Sequence, residues 1–347
     1  MVRSRPVAEV KPFRAVRYGE RAGPLESLVA PPYDVISPPE RAQLAAQNEH
    51  NVVHLTLPAE EPEAGRLWSE WREDGALVEE DDPGFWWLSQ DYVGPDGVAR
   101  TREGLVAALH AEPYENRVVL PHERTHRGPK EQRLRLLREV RAQLEPLFFL
   151  YEGSPPATRP EREPDLEVAG ARLWRLPADG IPEAFADRQL LIADGHHRYE
   201  TALAYHEEAG TPESAYVLAV LVSLEDPGLM IFPTHRVFEH EPAEQLPAEE
   251  VSDPETALEQ APRDRAAAVL YREGRSELAV DGEGELDVGL VDRLGHEGIS
   301  YTADWHEAVR AWEALDRMAN SSINDVERRA DPDNWPIAGP GTIARVD

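Results

Sequence analysis

Cysteine is absent from the 347 residues, which excludes disulfides, thiolate metal sites and cysteine nucleophiles. Lysine is nearly absent: Lys11 and Lys130 are the whole complement, and arginine carries the rest of the basic charge. No run of about eighteen apolar residues occurs, so no segment is expected to span a membrane. The opening stretch MVRSRPVAEVKPFRAVRYGE has no apolar h-region, and a cytoplasmic location is expected. Positive charge is scarce against negative, with 36 Lys and Arg facing 66 Asp and Glu for a formal charge of -30. Such a surface repels nucleic-acid backbones and anionic membranes, so neither is expected as a partner. A small anionic ligand has to be met by locally concentrated cations or by backbone amides.

What is present is ample apolar material, 41% of the chain, patterned as both helices and strands. Ser37 before Pro38 reads as a helix N-cap with proline in the first turn. NVVHLTLP reads as a short strand, and GRLWSEWREDG as a helix with apolar residues at helical spacing that ends near Gly75. GFWWLSQDYVGPDGVARTREGLVAALHA reads as two strands joined at GPDG. PKEQRLRLLREVRAQLE is an amphipathic helix followed by the strand PLFFLY. The tryptophans at 68, 71, 86 and 87 are expected in the core. The elements mix without a steady βαβ alternation, so the expected class is α+β: a mixed β-sheet core with flanking helices. Two regions are expected. The main one covers residues 1–240, with an inserted loop at about 153–168. A smaller α/β region, acidic and proline-rich at its start, covers 241–347.

The window LLIADGHHRYETALAYHE carries the most chemistry. An apolar strand delivers Asp194 and Gly195, and a helix starts immediately afterwards. The first amides of a helix lack intrahelical partners and lie at the positive end of the macrodipole. Gly195 lets a ligand approach the backbone, and His196, His197 and Arg198 add side-chain donors at the same end, which makes an anion cradle suited to phosphate. Asp194 is placed to hold a magnesium ion or a substrate hydroxyl. The plainer alternative is that Asp194 only caps the helix and the histidines are surface residues.

His122-Glu123-Arg124-Thr125-His126 matches the H-E-x-x-H pattern of zinc proteases, which requires a stable helix. Pro121 precedes it, and RGPK follows, where Pro129 disfavours helix at Gly128. The segment therefore reads as a loop after the strand RVVL, with a new helix starting beyond. In that loop Glu123 is the candidate general base, with His122 and Thr125 binding phosphate or orienting it. Lys130 follows as a point charge for phosphate. Three further clusters join the candidates. Tyr33 and Asp34 lie in the proline-fixed loop PPYDVIS, and His54 lies in NVVHL. Thr234, His235 and Arg236 end an apolar run and suit a phosphate or carboxylate.

PPYDVIS, NVVHLTLP, PHERT, PKEQRLRLLREVRAQLEPLFFLY, ADGHHRYETAL and PTHRVF occur in this order between about Phe13 and His240. Together they resemble the bacterial and archaeal domain-of-unknown-function family 1015. The DGHHR turn is also similar to the strand-turn-helix of the ParB and sulfiredoxin superfamily. In ParB a comparable box binds nucleotide phosphates. In archaeal free serine kinases an Asp-Gly-His-x-Arg box does so beside a glutamate that acts as base for the serine hydroxyl. Members of family 1015 usually end in a Pro-Pro-Lys-Ser-Thr-x-Phe-type motif, whereas this chain ends ANSSINDVERRADPDNWPIAGPGTIARVD.

The resemblance implies a phosphotransferase acting on a small hydroxylated metabolite, with free L-serine the leading acceptor and phosphoserine its product, or the reverse reaction. The implied donor is ATP, ADP or pyrophosphate, with Mg2+. Catalysis would fall to Glu123, Asp194 and His197. Two other classes stay open: a non-enzymatic nucleotide-binding switch without DNA, and a metal-dependent phosphohydrolase. A homodimer is an open option.

Overall fold

The helix-start signal at Ser37 holds in atomic detail. Ser37 Oγ accepts from Glu40 N at 3.4 Å and the Glu40 carboxylate accepts from Ser37 N at 2.9 Å, a full capping box with proline in the first turn. In the computed structural model the described residues are 8–94, 97–121, 127–177, 179–230, 235–238, 246–253, 256–257, 260–262, 265–272, 275–283 and 299–302. The chain divides into two compact units, Met1–Met230 and Ile231–Asp347.

In the first unit the strands, in chain order, are β1 (Val10–Lys11), β2 (Val16–Tyr18), β3 (Leu77–Glu79), β4 (Phe85–Val93), β5 (Ala99–His110), β6 (Val119–Leu120), β7 (Leu147–Tyr151), β8 (Leu166–Val168), β9 (Ala171–Leu176), β10 (Leu190–Asp194) and β11 (Tyr216–Ser223). The helices are α1 (Pro38–Gln47), α2 (Val53–Thr56), α3 (Glu61–Glu73), α4 (Arg127–Val140) and α5 (His196–Ala209). Nine strands form one sheet in the order β6-β10-β7-β11-β5-β4-β9-β8, with β1 added on β5. β10 runs parallel to β6 and β11 parallel to β7, while the other pairings are antiparallel. A mixed sheet with helices makes the class α+β, as the element pattern predicts.

Alternate residues of the central strands build the main core. Leu105, Leu109, Phe149, Leu190, Ile192 and Leu221 are all buried, and α5 closes over them with Tyr199 and Ala202. A second core lies among the helices, where Leu28, Leu55, Ala64, Trp71, Leu136 and Val140 pack together. Trp86 and Trp87 are buried as well. No helix among the described residues is long and apolar enough to cross a membrane.

Two local expectations need correction. NVVHLTLP is not a strand; its centre is the helical turn α2. Asn51 Oδ1 accepts from Val53 N at 3.0 Å, and this local side-chain bond organises a turn where the apolar run alone suggested extension. The helix α4 starts at Arg127, two residues before Pro129 rather than after it. A proline within the first turn removes only an amide that has no intrahelical acceptor, so the helix tolerates it there.

In the second unit β13 (Ala248–Val251), β15 (Arg275–Glu283) and β14 (Arg265–Arg272) form an antiparallel sheet over a small core of Leu246, Ala266, Ala268 and Ala279. β12 (His235–Phe238) pairs antiparallel with β16 (Ile299–Thr302).

Candidate functional site

The strand-to-helix turn is built as its residue types require. β10 ends at Asp194, with an irregularity in its pairing to β7 between Ile192 and Asp194. Gly195 is the N-cap of α5 in the left-handed region, φ 98° and ψ 25°. A Cβ there would lie 3.1 Å from Leu147 Cγ and 3.2 Å from Arg198 Nη2. The helix behind is firmly seated. The buried Tyr199 hydroxyl accepts from Glu112 N and donates to Glu112 O, both at 2.8 Å, and Thr201 Oγ1 donates to His197 O at 2.7 Å.

The side chains on this turn divide by exposure. His196 is buried at 2% exposure, whereas Asp194, His197 and Arg198 are half-buried. Of the two imidazoles, His197 is the more exposed. Arg198 is already engaged: Nη2 donates to Asp194 Oδ2 at 2.6 Å and Nη1 to Pro146 O at 2.7 Å. Its first effect is to fix the Asp194 carboxylate.

Beside the turn lies a group of charges drawn from three segments distant in sequence. Glu145 Oε1, in the connection from α4 to β7, accepts from the amide of Tyr33 at 3.1 Å. The Arg133 guanidinium lies over the Tyr33 ring, 4.0 Å from its centroid, and Nη1 donates to Thr56 O at 2.9 Å. Arg133 is 7% exposed, and its Nε finds no acceptor among the described residues. Burial pushes the Glu145 carboxyl up from its ordinary value and outweighs Arg198, the Tyr33 amide and Arg133, which pull it down; Asp34 pushes the same way as burial. Burial likewise raises the Tyr33 phenol, against the pull of Arg133. The loop carrying Tyr33 is anchored by Asn51, which is 0% exposed and donates Nδ2 to Ser27 O at 2.9 Å and Val29 O at 3.2 Å.

The structure thus brings Tyr33 within electrostatic reach of Arg198, and Asp34 within reach of Glu145, on which Arg198 also acts. His54 Nε2 lies 3.2 Å from Ala45 O within the helical region, and the contact of NVVHLTLP with the cluster is made by the Thr56 carbonyl. Lys130 falls in the first turn of α4. His122, Glu123 and Thr125 lie outside the described residues, as does Thr234. His235 and Arg236 sit on β12 in the second unit, opposite Thr302 and Tyr301.

Arg133 and Glu145 did not stand out in the sequence, although both lie in a stretch singled out there. A signal for Arg133 exists. It shares the buried stripe of α4 with Leu136, Leu137 and Val140, and an arginine on an apolar stripe needs a partner. Glu145 carries no comparable mark.

A groove of about 590 Å³ opens elsewhere, at the β9 end of the sheet, lined by Glu103, Arg159, Arg162 and Trp174 among others. Both of its arginines are paired already: Arg159 with Glu103 at 3.4 Å and Arg162 with Asp165 at 2.7 Å. The turn at Gly195 is the better candidate because beside it lie a buried arginine whose Nε has no acceptor among the described residues and a carboxyl that burial pushes up.

The raised Glu145 has a measurable consequence. A carboxyl whose folded pKa is raised contributes stability below its ordinary value, and that contribution is lost as pH rises through the folded value. Glu145→Gln is neutral throughout, so its melting temperature should gain on the parent as pH rises from about 4 to 8. A difference that stays constant over that range would show that Glu145 is not held toward neutrality.

No curated protein and no solved structure matches the chain. The family model described as protein of unknown function (DUF1015) matches residues 10–316, the greater part of the chain and beyond the motif-bearing stretch, and the chain belongs to that family.

Proposed function

We propose that the protein is a phosphotransferase that moves a phosphoryl group from a nucleotide or pyrophosphate to the hydroxyl of a small metabolite, with free L-serine the leading acceptor. The observation that carries this reading is the turn itself: a left-handed glycine between a strand-end carboxylate and a helix start, with a half-buried imidazole beside it. Its likeness to the Asp-Gly-His-x-Arg box of archaeal free serine kinases and to the phosphate box of the ParB and sulfiredoxin superfamily supports the assignment.

Phosphoryl transfer asks chiefly for positioning and for neutralisation of the transferring group. The helix start at His196 and His197 receives the phosphate oxygens. Glu123, outside the described residues, takes the proton of the acceptor hydroxyl. The acceptor oxygen forms the new P–O bond as the bridging P–O bond to the donor breaks, and the displaced phosphate carries the electron pair away. Asp194, oriented by Arg198, is the carboxylate that would hold Mg2+. One protein carboxylate plus phosphate oxygens is an ordinary magnesium environment. When bound, the ion neutralises phosphate charge. Among the described residues no group of three or more His, Asp or Glu is arranged to hold a metal by itself, so the residues fit a metal brought with the phosphate donor.

The test is incubation of the purified protein with L-serine, Mg2+ and ATP, ADP or pyrophosphate, with phosphoserine read by mass spectrometry. Product is expected with one donor. His197→Ala and Glu123→Ala should each lower the rate by about 10²-fold or more. Turnover that survives both substitutions removes the proposed site. Tight nucleotide binding without turnover points instead to a nucleotide-binding switch.

A further inference from the structure

The charges beside the turn are not a closed ion-pair network. Arg133 is stacked on Tyr33 and ties down only Nη1, while Nε has no acceptor among the described residues. The bonds described for Glu145 reach only the Tyr33 amide, through Oε1. The two residues feel each other electrostatically, yet no hydrogen bond between them is formed. Arg198 spends its described hydrogen bonds on Asp194 and Pro146 O and acts on Glu145 only through space, more strongly than Arg133 does, so Arg133 and Glu145 both keep hydrogen-bonding capacity to spare.

A desolvated guanidinium and a desolvated carboxyl, each only partly satisfied, are unfavourable unless something completes them. A planar guanidinium held flat by an aromatic ring is pre-organised for a carboxylate. A half-buried carboxyl beside it suits an ammonium. A molecule carrying both groups on one carbon would satisfy the two sites together, and neither group alone would.

We propose that Arg133 and Glu145 are the specificity-determining pair for the acceptor, with Arg133 receiving the carboxylate and Glu145 the ammonium of a small α-amino acid. This rests on the reading of the Gly195 turn as the phosphate end, because it places the acceptor's charged head next to that turn. Asp34, the residue after Tyr33, bears on both groups from the same loop, and Arg198 bears on them from α5.

The pair makes a prediction that a structural role does not. Binding to the full-length protein is measured by calorimetry with three probes and no phosphate donor: L-serine, ethanolamine, which lacks the carboxylate, and 3-hydroxypropionate, which lacks the ammonium. The parent should bind L-serine at least about tenfold more tightly than either analogue. Arg133→Met should erase the preference over ethanolamine while keeping that over 3-hydroxypropionate. Glu145→Gln should do the reverse. Arg133→Lys, which keeps the charge, separates loss of recognition from loss of fold, and thermal melts of each variant are recorded alongside.

Pyrophosphate binding, measured on the same samples, reads the turn independently. A parent that binds pyrophosphate but shows no preference for L-serine overturns the pair and leaves the phosphate site standing. Variants that weaken all three probes equally overturn it too, as does a parent that binds neither pyrophosphate nor L-serine. That last result sinks the phosphate reading as well.

Discussion

Gly195→Ala is expected to abolish phosphate binding at the turn and to lower stability by about 2–4 kcal/mol. At φ 98° an alanine is strained by roughly 1–2 kcal/mol before any contact is considered. The added Cβ then meets Leu147 Cγ at 3.1 Å and Arg198 Nη2 at 3.2 Å, closer than either settles without movement. Nη2 is the atom that holds Asp194 at 2.6 Å, so the methyl displaces the group that orients the carboxylate. It also occupies the space through which the proposed anion would approach the first amides of α5. Urea denaturation reads the stability and calorimetry with pyrophosphate reads the site. Pyrophosphate bound with unchanged affinity by a folded variant would mean that the anion goes elsewhere.

Asn51→Ala should destabilise by about 2–4 kcal/mol without removing any residue of the proposed site. The side chain is fully buried and makes three bonds, donating to Ser27 O and Val29 O and accepting from Val53 N. Alanine leaves two carbonyls and one amide unsatisfied in the helical core. Asn51→Asp keeps the acceptor for Val53 N but loses both donors, and adds a buried charge. It is expected to fare no better than alanine. Residues 27–29 lead directly into Pro31, Pro32 and Tyr33, so the same substitution should weaken amino-acid binding even where the protein stays folded. A loss under about 1 kcal/mol in chemical denaturation would show that this loop is held by other contacts.

How far the sequence could be read differs from element to element. The Ser37 start, the two long strands around GPDG and the strand-Gly-helix turn at Asp194 were legible because each is governed by its own nearest neighbours. A cap, a turn and a left-handed glycine are local requirements. NVVHLTLP misled because a short apolar run is compatible with strand or helix, and the deciding contact is a side-chain bond from Asn51. His54 was singled out as polar on an apolar run, and its ring is met by the Ala45 carbonyl from the preceding helix. Arg198 read as a donor for phosphate, and its donors go first to Asp194 and Pro146.

From the chain alone came the class of the fold, the acidic composition that leaves anion binding to a local device, and the glycine turn proposed as that device. These follow from composition and from interactions within a few residues. Only the tertiary structure decided which charges stand around that turn. Arg133 and Glu145 are brought to Tyr33 by the packing of α4 and its connection to β7, across 112 residues in the case of the Tyr33 amide and Glu145. Which side chains share a desolvated space is set by how helices lie on a sheet, and no local pattern encodes that.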